Sequence, residues 1–376
     1  MRKSAIPAIL ALLIFACGSD KPTDNNQGIT ITVEPVRALV DLGTTVHFYC
    51  TIAGTDNHSV TWSIDGGVAN GTIDSTGSYT APSDLPANID SVMITVSARA
   101  DLAKYATAWA ILIDPDKIHV QITGSDTTGL GTRWHPYRTI TKALSRAHSG
   151  QFVLVGSGEY NEATGEHFPL QVPAGVTVQG SNRDSTFVIG PGGMNPTLDA
   201  IFEINGDAIT LTSLCISSSN SMGVGIWLRP GFFTTLTGNQ ITENYIGIYV
   251  SGGPNPRPVV SNNRIIGDSI GIVTADSCAP ILRNNYIYNC PKYGLEIRNL
   301  SRPDLGTNNT NSAGNDTIRN CGDASYHYLV FNGSPNTIWA IGNSWQDQSN
   351  VENNDQYIYD DEESSDASGD VILSQQ

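Results

Sequence analysis

GNQITENYIGIYV (238–250), NNRIIGDSIGIVT (262–274) and NNYIYNCPKYGLEIR (284–298) are three versions of one pattern. Asn239, Asn263 and Asn285 fall 24 and 22 residues apart, while Gly247, Gly271 and Gly294 fall 24 and 23 apart. A fourth copy precedes them in LTSLCISSSNSMGVGIWL (211–228), where Gly225 lies 22 residues before Gly247. Within the copies Ile241/Ile265/Ile287 and Ile248/Ile272/Leu295 stand at alternate positions, as the buried face of a strand requires. Short strands at this period with no intervening helix predict a parallel β-helix, each coil about 4.8 Å above the last. An Asn at the same turn of successive coils predicts a ladder of side-chain amides. The Leu-x-x-Leu-x-Leu frame of a leucine-rich repeat is absent.

Such a stack leaves its first apolar layer bare and needs a cap. In HPYRTITKALSRAHSGQFVLVGSGEYNE (135–162), Ile140, Ala143, Leu144 and Ala147 make an i, i+3, i+4, i+7 stripe. It predicts a capping helix of about ten residues. FVLVGSGEY (152–160) reads as the first strand after it.

HPYRTITKAL (135–144), SGQFVLVGSGEYNE (149–162) and FPLQVPAGVTVQGS (168–181) resemble the N-terminal cap and first coils of the right-handed β-helix, pectin-lyase-like superfamily. More narrowly, they resemble a family of exported bacterial β-helix proteins of uncharacterised function. PDLGTNNTNSAGNDTIRNC (303–321) and IGNSWQD (341–347) match that family's closing region. The resemblance covers residues 118–347 and implies the fold, not an activity.

The 376 residues exceed one compact core, and 37 glycines with 14 tyrosines suit strands and turns. Arg2 and Lys3 followed by the apolar run Ala5–Phe15 read as an export signal over residues 1–16. Ile14-Phe15-Ala16-Cys17-Gly18 resembles a bacterial lipobox, although Phe at its second position is unusual. That resemblance implies acylation of Cys17 and anchoring to a bacterial membrane, with Gly18 favouring the outer membrane or cell surface. Residues 17–27 read as a flexible tether.

From 28 to 115, alternating runs such as TTVHFYCTI (44–52), VTWSI (60–64), SVMITVSA (91–98) and TAWAILI (107–113) predict an antiparallel β-sandwich. VTWSIDGG (60–67) and GTIDSTGSYTAPSDLP (71–86) resemble bacterial immunoglobulin-like domains, with Trp62 in the place of the core tryptophan. The chain is thus expected to be all-β: an immunoglobulin-like sandwich, then a right-handed parallel β-helix over 116–348 with an N-terminal capping helix. The acidic residues 349–376 read as a solvated tail, with weak Ca²⁺ binding the alternative and no other cofactor expected. Cys50 reads as a buried thiol, the pairing of Cys50, Cys215, Cys278, Cys290 and Cys321 stays open, and Cys290 and Cys321 are candidate neighbours in stacked coils.

A net charge of −16 without a Lys/Arg-rich run argues against nucleic acid. Counted from the aligned glycines, the outward rows of one sheet are Trp227, Tyr249, Val273, Glu296 and Arg229, Ser251, Ala275, Arg298. Stacked aromatics offer a platform for pyranose rings, and Glu296, Arg298 and Arg229 would fix hydroxyls or a carboxylate. Polysaccharide or another extended surface polymer is therefore the expected partner. The alternatives are a polysaccharide lyase or glycoside hydrolase, with Glu243 and Asp268 as the catalytic carboxyl pair and Asp276, Glu296 and Arg298 as further candidates, and a structural or adhesive protein that binds another protein. The paired aspartates and Arg-x-Lys of β-helix polygalacturonases are not visible, nor is the Asp cluster of pectate lyases.

Overall fold

The computed structural model describes residues 28–192, 200–255, 257–307, 312–322, 328–346, 358–360 and 369–373. Cys17 and the lipobox lie outside them. The chain divides into two compact units. One draws on the chain up to Ala38, Thr45–Thr80 and Val92–Ala110, the other on Leu39–Thr44, Ala81–Ser91 and the chain from Ile111 onward.

The first unit is built from antiparallel pairs: Thr30–Glu34 with Tyr49–Ala53, Val60–Ile64 with Ser91–Ala98, and Thr45–His47 with Ser78–Thr80. The run TTVHFYCTI is therefore two strands and not one. It breaks at Phe48, whose N–H donates to the Gly77 carbonyl at 2.9 Å, and each half joins a different sheet. Phe48, Tyr79, Ile94 and Val96 are fully buried, and the Tyr79 hydroxyl donates to the Asn70 carbonyl at 2.5 Å. Trp62 is half-buried and not fully buried as expected of a core tryptophan. Cys50 is also half-buried, in place of the expected burial.

The second unit contains the right-handed parallel β-helix. Three parallel sheets form its sides. The first runs from Lys117–Val120 to Ile281–Arg283, the second from Gly158–Asn161 to Ser344–Gln346, the third from Leu170–Gln171 to Ile358–Tyr359. The predicted columns are in register: Ile216, Ile241, Ile265, Ile287, Ile318 and Trp345 stack in the second sheet, and Ile226, Ile248, Ile272, Leu295, Val330 and Ile358 in the third. All are at most 1 % exposed, so one continuous apolar core runs along the axis.

The repeated glycine follows from this stacking. A Cβ on Gly225, Gly247 or Gly271 would stand 2.6 Å from the carbonyl oxygen of the corresponding glycine one coil on, closer than any real contact. The asparagine ladder is also present. Asn239, Asn263 and Asn285 each donate Nδ2 to the side-chain oxygen of the next rung, ending at Asp316. Each Nδ2 also donates to a backbone carbonyl of the preceding coil. The residue before each rung, Gly238, Asn262, Asn284 or Asn315, takes positive φ, which Gly and Asn tolerate.

The capping helix spans Ile140–Leu144, shorter than expected, and buries Ile140, Ala143 and Leu144. Its first N–H groups, which have no acceptor within the helix, find a remote partner: Glu166 accepts from Ile140 N at 2.7 Å and from Thr141 N at 2.9 Å. FVLVGSGEY is not the first strand. Lys117–Val120 pairs in front of Phe152–Val155, and the stretch supplies two strands in two different sheets. The tail departs from the expected solvated state at two places: Ile358–Tyr359 extends the third sheet, and Val371–Ile372 pairs with Ile338–Trp339. Ile358 and Val371 are apolar and buried there, and Asp360 accepts from Val371 N at 3.0 Å.

Candidate functional site

The outward column of the third sheet reads Gln171, Glu203, Trp227, Tyr249, Val273, Glu296, Phe331, Tyr359, each beside the next on a neighbouring strand. The expected order Trp227, Tyr249, Val273, Glu296 is thus correct, and the column is longer at both ends. Its chemistry differs from a bare aromatic platform. Trp227 is only 5 % exposed, its indole N–H donates to Ser251 Oγ at 3.2 Å, and Arg229 stacks 3.7 Å from its ring centroid. Val273 is fully buried. Trp227, Val273 and the column Ala200, Val224, Ile246, Ile270 form a second apolar cluster outside the axial core. Trp227 is therefore packing beneath the surface, and the aromatic rings left half-exposed are Tyr249, Phe331 and Tyr359.

Two arginine–glutamate pairs stand on this face. Arg229 meets Glu203 Oε1 through Nε at 2.7 Å and Nη2 at 2.5 Å. Arg298 holds both oxygens of Glu296, at 2.7 and 2.8 Å. The hydrogen bond to Glu296 raises the Arg298 pKa further, outweighing its partial burial. Burial raises the Tyr249 hydroxyl, with Asp276 adding to it and Arg298 opposing. Each guanidinium is fixed by its own acid while part of its side chain stays in water, 39 % exposed for Arg229 and 40 % for Arg298. Both are positioned to meet a polar or anionic ligand. Farther along, Phe331 and Tyr359 stack at 4.7 Å, and Tyr328 and Tyr293 pack edgewise or tilted against them at 5.2 Å.

The proposed catalytic pair does not assemble. Glu243 is an exposed turn residue at φ 58°, and its neighbour one coil on is Gly267. Asp268 corresponds to Asn244 instead and points inward, fully buried in a second ladder that the sequence reading missed. Its Oδ1 accepts from Asn244 N at 2.8 Å and Asn244 Nδ2 at 2.9 Å. Burial pushes its pKa up to about 8, so it is a neutral acid filling an amide's place. Asp276 is exposed and accepts from Asn299 Nδ2 at 2.6 Å. Glu203 and Glu296 lie four strands apart in one column, about 19 Å at the parallel spacing, too far for a two-carboxyl hydrolysis.

Cys290 and Cys321 are neighbours at the turn that holds Asp268. The Sγ of Cys290 lies 3.3 Å from the Cβ position of Gly271, and that of Cys321 3.2 Å from that of Gly294. Cys290 Sγ donates to the Tyr288 carbonyl at 3.7 Å and Cys321 Sγ to the Arg319 carbonyl at 3.3 Å, and the adjacent Cys321 thiol together with burial raises the Cys290 pKa well above the usual thiol range. All five described cysteines are free thiols. Among the described residues no cluster of three His, Cys, Asp or Glu side chains would hold a metal ion.

A family model described as a protein of unknown function (DUF1565) matches residues 122–350, and the chain belongs to that family. No curated protein sequence matches it. Among solved structures, the chain is similar to the pectin methylesterase PemA from Erwinia chrysanthemi, with TM-score 0.41 and 13 % identity over 66 % of this chain and 82 % of that one. It is also similar to Escherichia coli YbhC, with TM-score 0.40 and 14 % identity over 75 % and 78 %.

Proposed function

We propose that this DUF1565 β-helix binds an extended polysaccharide along the outer face of its third sheet, displayed at a bacterial surface by an acyl anchor on Cys17. The observation that carries the reading is the outward column itself. It presents half-exposed Tyr249, Phe331 and Tyr359 together with the acid-fixed guanidinium groups of Arg229 and Arg298. Parallel strands repeat about every 4.8 Å, so these groups form a straight row that suits a long chain more than a compact ligand. Aromatic faces bind the apolar C–H faces of sugar rings, and guanidinium groups bind hydroxyls or acids beside them. The ion pairs preorganise both arginines, which lowers the ordering cost of binding.

A glycan array probed with the protein and its variants tests this. Tyr249→Ala and Phe331→Ala should lose binding while far-UV circular dichroism stays unchanged. Arg298→Gln should weaken acidic glycans most. Undiminished binding in the Tyr249→Ala, Phe331→Ala double variant refutes the reading.

A further inference from the structure

Away from the third sheet, the β-helix carries a concentration of positive charge that its net charge of −16 does not lead one to expect. Arg257, Arg283 and Arg302 gather around one acid, Asp304, which bridges to Ile281 at the end of the first sheet. Arg283 is committed: it donates to Asp304 Oδ1 at 2.7 Å and to the carbonyls of Leu282 and Asp304 at 2.7 and 2.6 Å. Arg257 spends Nε on the Ala279 carbonyl and Nη2 on Asp304 Oδ2, both at 2.9 Å. Burial pulls the Asp304 carboxyl up, but hydrogen bonds from Arg283, the Gly306 N–H and Arg257 outweigh it and hold the group ionised. Arg302 is exposed, and among the described residues no acid pairs with it.

Arg257, Arg302 and Asp304 line a cavity of about 290 Å³ whose other walls include Pro303, Thr307 and the 37 % exposed Trp339. That volume is at the lower limit for small-molecule sites, which accommodates one ring. Trp339 is held by the pairing of its strand with Val371–Ile372, so the acidic tail supports this wall.

We propose that this cavity is a second binding site, for a single anionic sugar unit: Arg302 and the open edge of Arg257 take its carboxylate or sulfate, and Trp339 takes the apolar face of its ring. A guanidinium already paired to an ionised acid is preoriented, while Arg302 supplies the uncompensated charge that an anion requires. An indole beside it favours a ring-bearing anion over a bare ion. The site shares no residue with the row on the third sheet, so it stands or falls separately.

Isothermal titration of the full chain with glucuronate, glucose 6-sulfate, glucose, inorganic sulfate and AMP tests it. One acidic sugar should bind about tenfold more tightly than glucose or inorganic sulfate, and which one binds names the acid. Arg302→Gln should weaken that binding about tenfold and Trp339→Phe by several-fold, whereas Gly253→Ala, on open surface, should leave it unchanged. The proposal is overturned if neither acidic sugar binds, if Arg302→Gln binds as the parent does, or if inorganic sulfate or AMP binds at least as tightly.

Discussion

Asp268→Asn should stabilise the protein at neutral pH, against the usual direction of a polar change at a fully buried site. Asp268 is 0 % exposed, and its Oδ2 has no hydrogen-bond partner. Burial raises its pKa from 3.8 to about 8, with the two donations from Asn244 opposing and the charge of Glu243 adding a little. The folded chain keeps the proton across the range in which the unfolded chain releases it. The unfolded state therefore gains from rising pH and the folded state does not. Stability is complete below pH 3.8, falls by about 1.4 kcal/mol per pH unit, and stops falling near pH 8, where the folded group ionises too. From pH 5 to pH 7 this amounts to roughly 3 kcal/mol. An asparagine cannot ionise, and its Nδ2 would stand where Asn244 Nδ2 meets the Thr242 carbonyl at 2.9 Å in the coil before. The variant should match the parent near pH 4 and exceed it by about 4 kcal/mol at pH 7. Urea midpoints at pH 4, 5, 6 and 7, read by far-UV circular dichroism, measure it. A difference that does not change with pH, or a variant weaker at pH 7, refutes the argument.

Gly247→Ala should cost roughly 1–3 kcal/mol, because the new methyl meets the Gly271 carbonyl at 2.6 Å and Asp268 Oδ2 at 2.8 Å. Gly253→Ala, with nothing within 4 Å, is the control, and urea midpoints of the two should separate. Truncation after Gln348 should remove the burial of Ile358 and Val371, about 1.5–3 kcal/mol each, and lower the thermal midpoint; an unchanged midpoint would mean that the tail strands contribute nothing. Cys17→Ser should abolish incorporation of labelled palmitate in a bacterial host and release the protein from the membrane fraction.

The repeat was legible because burial on one side of a strand imposes a period of two, and stacking imposes a near-constant coil length. Ile241, Ile265 and Ile287 obey both, so their column could be read without coordinates. Two features hid the rest. A shift of one residue reverses the direction of a side chain, and pairing Glu243 with Asp268 is such a shift, because the neighbour of Glu243 one coil on is Gly267. The signal for the correct register was present in the pairs Glu243-Asn244, Gly267-Asp268, Asn289-Cys290 and Asn320-Cys321, where the first residue takes positive φ and the second turns inward. The outward column beyond Glu296 was not legible, because its next member Phe331 lies 35 residues on, outside the period of 22–24 that the earlier copies keep.

Exposure was harder to read than position, and this bears on where function can lie. Period-two alternation says that Trp227 points away from the axis, but not that Arg229 lies over it at 3.7 Å and leaves it 5 % exposed. The three sheets share one interior, so only their outward rows can distinguish them. In the middle of the first sheet those rows hold Thr210 beside Thr235 and Thr212 beside Thr237, short half-buried hydroxyls that stabilise neighbouring strands, with Phe152 and Gln179 before them and Arg283 after. On the third sheet the equivalent row holds rings and two arginines, each fixed by a carboxylate. Placing large side chains and buried acids there is costly for a sheet that needs only to be covered, since Glu203 and Glu296 each lose hydration at 5 % and 9 % exposure. A threonine row would close the same surface without that cost, and the proposed polysaccharide site rests on this difference.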